Sequence, residues 1–159
     1  MRLRAAILAC LGVFAAAGQD TEKDLATAAK AYENKDYGTA FTLWEPLAEA
    51  GSAPAQFNLG LLFFDGKGVP QDFERAAKWF ERAADQGFVG AQRNLGELYF
   101  AGKGVKRDYI LSYKWFSICA AKGNETCAEH RDIVAKKLSA SKLAEAQKMT
   151  RDWKPKGGS

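Results

Sequence analysis

Ser139-Ala140-Ser141-Lys142 puts a hydroxyl and an amine three positions apart, the spacing at which a lysine can activate a serine for acyl transfer. The companion motifs S-D-N and K-T-G are absent, and a serine just ahead of a helical stripe also does the simpler job of an N-cap. Cys119 and Cys127 are a second reactive pair, with seven residues between them that include the turn Gly123-Asn124. They can close a disulfide, because a short turn between antiparallel helices brings two Cβ atoms within the ~4 Å required. With His130 they could instead supply three metal ligands, leaving Glu129 or Asp132 to be argued as the fourth. His130 is the only histidine, so no histidine pair exists for a metal, and as a general base it would need a nucleophile beside it. Gly60 to Lys67 imitates a phosphate loop. Five residues rather than the required four separate Gly60 from Gly66, however, and Gly68 stands where Ser or Thr would bind magnesium. The same misfit recurs from Gly96 to Lys103, which marks it as a repeated structural phrase.

These groups sit in a chain of 159 residues, 47% apolar and 26% charged, a composition that excludes collagen-like and disordered classes and suits one domain with a real core. Arg2 and Arg4 precede an apolar run from Ala5 to Ala17 that ends in small residues, the pattern of a secretory signal segment over residues 1–18. The run has 13 residues, short of the ~20 that a spanning helix needs, and no later stretch reaches that length. Ile7-Leu8-Ala9-Cys10 loosely resembles a lipobox, but the apolar run continues past Cys10. Cleavage after Ala17 or Gly18 would give a periplasmic or secreted protein with two cysteines, a setting in which Cys119 and Cys127 read as a disulfide. Removing Arg2 and Arg4 leaves 21 basic residues (23 minus 2) against 19 acidic ones, which does not call for nucleic acid. The basic excess lies at the end: Arg131 to Ser159 holds eight Lys or Arg against three Asp or Glu.

Repetition decides the architecture. Set side by side at an offset of 36, Ser52 to Gly87 and Phe88 to Gly123 are identical at 17 of 36 positions. Ala55, Leu59, Leu62 and Phe63 follow helical spacing, and Gly60 in that stripe lets a neighbouring helix come close. Gly66 and Gly68 break the pattern in a turn, and Pro70 can start a helix but not sit inside one. After Asp72 as N-cap, Phe73, Ala76, Ala77, Phe80 and Ala83-Ala84 form a second stripe that closes at Gly87. The pattern decays outward, as terminal repeats do. Tyr37, Ala40, Leu43, Trp44 and Gly51 repeat the second helix over a shorter connection, Asn34-Lys35-Asp36. Downstream, Cys127 and Asp132 stand in the places of Ala91 and Gly96. Ser139 opens a last helix with Leu143, Ala146, Met149 or Thr150, and Trp153 on one face. Aromatics make up 12% of the chain; Trp44, Trp79 and Trp115 fall on the apolar stripes, which assigns them to packing, and Trp153 lies near the end.

The succession Ala-Gln-x-Asn-Leu-Gly, Gly-Lys-Gly-Val, Asp, Lys-Trp-Phe and a closing Gly resembles the Sel1-like repeat, a relative of the tetratricopeptide repeat. The resemblance is strong from Ala53 to Gly123 and implies an all-α, right-handed solenoid of helix hairpins. The expected units are a tetratricopeptide-like hairpin at 19–51, repeats at 52–87 and 88–123, and a half-repeat with a capping helix at 124–159. The cysteine-rich branch of that family shows a similar C-x7-C pairing, which supports Cys119 with Cys127. The family implies a scaffold without catalysis or cofactor, whose ligands lie along the concave face.

On that basis the expected role is non-catalytic binding of an extended peptide or protein segment by a monomer or weak oligomer. A penicillin-binding or β-lactamase-like hydrolase using Ser139 and Lys142, or a structural subunit of an envelope complex, are the alternatives. Helical phase puts Phe57, Asn58, Leu61 and Phe64 beside the packing stripe, and adding 36 gives Arg93, Asn94, Glu97 and Phe100, then Glu129, His130 and Ile133. Two amides, an arginine, carboxylates and apolar side chains suit a peptide. Asn58 and Asn94 belong to the repeated pattern and could bond neighbouring helices instead, whereas Arg93 and Glu97 break it and are the better candidates for specificity.

Overall fold

The computed structural model describes residues 21–157, so the signal segment expected at 1–18, with Cys10, lies outside the described residues. The described chain is all-helical. Helix α1 covers 21–33 and is followed by α2 (Tyr37–Glu49), α3 (Ala53–Asp65), α4 (Phe73–Asp85), α5 (Val89–Ala101), α6 (Tyr109–Ala120), α7 (Glu125–Ala135) and α8 (Ala140–Asp152). Side-chain caps start most of them: Asp36, Ser52, Asp72, Asp108, Asn124 and Ser139 each accept a first-turn N–H. Consecutive helices pack from α2 to α7, which is how a solenoid buries apolar faces that no single hairpin could cover. None of the described helices is long and apolar enough to cross a membrane.

Each conserved-looking block of the repeat has a mechanical job. Gly66 and Gly102 end α3 and α5 in the left-handed conformation, at φ +68° and +70°. The second glycine of each turn is held by space as well as by φ. A Cβ on Gly104 would stand 2.1 Å from the Phe73 carbonyl oxygen, so this turn rests directly on the backbone that starts α4. Gly68 sits in the same way on Tyr37 at the start of α2. The repeated glutamines are buried and staple successive units. Gln56 Nε2 donates to the Ala48 carbonyl at 3.0 Å, and Gln92 Nε2 to that of Ala84 at 3.2 Å, satisfying carbonyls at the ends of α2 and α4.

Two details differ from the expectation. Gly60 and Gly96 admit an aromatic ring rather than a helix backbone: a Cβ there would meet the ring of Phe80 at 2.6 Å or of Phe116 at 2.9 Å. The second detail is the seat of the capping helix: α8 packs on α6, with the Trp153 ring 6.2 Å from that of Trp115. The tail then turns back along the stack. Lys156 N–H donates to the Asp85 carbonyl at 2.7 Å and its ammonium meets the Asp85 carboxylate at 2.6 Å, which raises the lysine pKa. Trp44 and Trp115 are buried, whereas Trp79 is only half-buried, with the Arg82 guanidinium 4.6 Å from its ring.

Candidate functional site

Helices α5 and α7 wall a cavity of about 310 Å³ based on Phe116 of α6. From α5 come Glu97, Phe100 and Ala101; from α7 come His130, Ile133 and Val134. Its lining is mostly apolar, and Ile133 is 47% exposed, the one large hydrophobic among the described residues left so open. A mostly apolar cavity with a few polar groups at its edge is the kind of concave surface that binding sites use.

Around the matching ring the second repeat differs from the first. In the first repeat the Phe80 ring is covered by Phe57 at 5.8 Å, itself stacked at 4.9 Å on Phe88, while Phe64 lies 6.4 Å from Phe80 on another side. An offset of 36 converts Phe80 to Phe116 and Phe64 to Phe100, but Phe57 to Arg93, Leu61 to Glu97 and Phe88 to Asn124. Arg93 and Glu97 are exposed and face each other along α5 at 3.7 Å, too long for more than a weak, solvent-screened pair. Asn124 is used as the N-cap of α7, its side chain accepting from Cys127 N–H at 3.0 Å.

The predicted site residues therefore divide. Glu97, Phe100, His130 and Ile133 meet in one cavity, with Arg93 one turn along α5. His130 is more buried than a surface residue would be: its ring lies 5.1 Å from that of Phe116, and its Nδ1 is enclosed with no hydrogen-bond partner among the described residues. Phe57, with its ring contacts, belongs to the packing of the first repeat, and Leu61 is a half-buried part of the same core. Asn58 is half-buried and Asn94 buried. Neither amide makes a side-chain hydrogen bond among the described residues. Sequence reasoning missed Ala101, Phe116 and Val134 as cavity residues. The readable signal was the replacement of Phe57 by Arg93 between otherwise matching repeats.

The wall carried by α7 is fixed by the cysteines. Cys119 and Cys127 are bonded, with Cα atoms 5.9 Å apart and both residues fully buried in a small cluster with Phe116 and Val134. Their thiolates are thereby committed to each other, and among the described residues no group of three or more His, Cys, Asp or Glu is placed to hold a metal. Ser139 Oγ accepts from Lys142 N–H at 3.4 Å, so the S-x-x-K serine acts as the cap of α8.

Residues 53–88 and 89–124 each match the family model of the Sel1 repeat. No match to the curated proteins was found. Among solved structures the chain is similar to a protective antigen present in uropathogenic Escherichia coli strains that displays an SLR fold. The TM-score is 0.81 and the identity 34%, over 87% of this chain and 30% of that one. It is similar also to a Sel1 repeat protein from Oxalobacter formigenes, with a TM-score of 0.66 and 24% identity, over 80% of this chain and 55% of that one. The chain thus spans less than two thirds of either relative. Two matched repeats in an all-helical solenoid shared with these structures make this a Sel1-repeat protein.

Proposed function

We propose that the protein is an exported, non-catalytic interaction module that binds an extended peptide or protein segment on its concave face, with the α5–α7 cavity as the main contact. The Sel1-repeat fold is a scaffold for protein contacts, and the observation that carries the assignment to this face is the mostly apolar cavity beside the exposed Ile133. Asn94 and Asn58, one and two repeats back from His130, offer amides to a peptide backbone along the same line. Export is supported by the signal-like residues 1–18 and by a buried disulfide, which persists in an oxidising compartment. The test is selection of displayed random peptides on the immobilised chain from Gln19 onward. Selected peptides should bind the wild type and lose about tenfold in affinity to Arg93→Ala with Glu97→Ala, while the melting temperature stays unchanged. Peptides that bind this double variant equally well place the interface elsewhere, and a selection that yields none removes the reading.

A further inference from the structure

The two repeats differ in what lies over the matching ring. Over Phe80 the chain supplies its own ring, Phe57, tilted by 41°. Over the buried Phe116 it is the His130 ring of α7 that lies at 5.1 Å, while Arg93, in the place of Phe57, faces Glu97 at 3.7 Å. Beside these rings the cavity of about 310 Å³ is mostly apolar and bordered by Phe100, Phe116 and His130, a lining against which an aromatic side chain can pack.

A second feature lies next to it. The Lys137 ammonium is 5.9 Å from the ring centres of both Phe100 and Tyr109, which are 5.6 Å apart. Phe100 lines the cavity, while Tyr109 lines an adjoining groove with Lys106, Arg107, Lys137 and Lys142. None of these four cations is in an ion pair among the described residues. The one acid of the groove, Asp108, is engaged by the N–H groups of Ile110 and Leu111 at 2.8 and 3.0 Å. An apolar socket edged by Glu97 thus opens beside a groove in which four cations outnumber one carboxylate.

We infer that the bound segment carries an aromatic side chain, seated on Phe116, followed by carboxylates that lie along Lys137 toward Lys106, Arg107 and Lys142. This rests on the reading of the chain as a peptide-binding module and specifies the chemistry of its ligand.

The test is a nuclear magnetic resonance titration of the chain from Gln19 onward with a synthetic Gly-Ser peptide containing one phenylalanine followed by three aspartates. Amide shifts should centre on Phe100, Ala101 and Ile133. Replacing the phenylalanine of the peptide by alanine should weaken binding about tenfold or more, and replacing its aspartates by asparagines should weaken it and remove its salt dependence. Arg93→Phe, which supplies from within the ring that Phe57 gives the first repeat, should block the peptide at an unchanged or higher melting temperature. Lys137→Glu should weaken the aspartate peptide and leave the asparagine version as it was. Absence of shifts at the cavity, or an alanine peptide that binds equally, overturns the inference. Displayed peptides that bind this face without any aromatic residue overturn it too while sparing the module reading, whereas a display selection that yields no binder removes both.

Discussion

The two matched repeats share their turns, their buried glutamines and the ring that sits on a glycine, and they expose opposite sides. In the first, Phe57 and Phe88 cover Phe80, while Trp79 on α4 is left half-buried. In the second, Phe116 is open to the α5–α7 cavity, while Trp115 on α6 is buried beneath Trp153. The identical turns and glutamines are positions that stack one hairpin on the next. Positions that differ decide which side is sealed by the chain and which is left for something else. Arg93 and Glu97 are therefore more informative about function than the whole Gly-Lys-Gly-Val block.

The sharpest way to break this division is at a shared position. Gly104→Ala forces a Cβ to within 2.1 Å of the Phe73 carbonyl at φ +67°, combining backbone strain with overpacking, and should cost about 3 kcal/mol or more in thermal or urea unfolding. Gly68→Ala, whose nearest contact is the Tyr37 side chain at 2.7 Å, should cost less; the opposite order would mean that the two turns are not equivalent. Next comes the disulfide. Replacing Cys119 and Cys127 by Ala should lower stability by about 2 to 3 kcal/mol through loop entropy, and thiol counting of the oxidised, denatured wild type should find neither cysteine free. Gly60→Leu and Gly96→Leu should each cost ~1 to 3 kcal/mol by displacing Phe80 or Phe116, whereas Asp132→Leu, at the exposed third equivalent, should shift the melting temperature little. A smaller cost than at the glycines is expected from imposing the second repeat on the first. Phe57→Arg with Leu61→Glu removes half-buried rather than fully buried apolar groups, should cost about 1 to 2 kcal/mol, and should open a dye-binding cavity over Phe80. If stability and dye binding do not change, Phe57 is not the group that closes the first groove.

The hairpin order and the caps at Asp72 and Ser139 were legible from spacing at a fixed period, and the pairing of the cysteines from their spacing across a turn. What escaped depended on the third dimension. A glycine in a stripe announces a close approach but not what approaches, so the ring of Phe80 could not be told from a helix backbone. The helical phase gathered Glu97, Phe100, His130 and Ile133 correctly onto one side, yet it could not show that Phe57 is consumed by packing while its equivalent Arg93 is exposed. The identity of Gln56 and Gln92 in both repeats marked them as part of the repeated pattern, but not that they bond carbonyls of the preceding helix.

The central claim is that the cavity between α5 and α7, not the basic C-terminal helix, is the binding surface. It is tested most directly by titrating one display-selected peptide against the wild type, Ile133→Glu, and Lys148→Glu with Arg151→Glu. Ile133 is already 47% exposed and Lys148 and Arg151 are exposed on α8, so all three proteins should melt within about 1 kcal/mol of one another. The account predicts that Ile133→Glu loses affinity by about tenfold or more and that the charge reversal on α8 leaves it unchanged. Full binding by Ile133→Glu, with loss on reversal at Lys148 and Arg151, would contradict it.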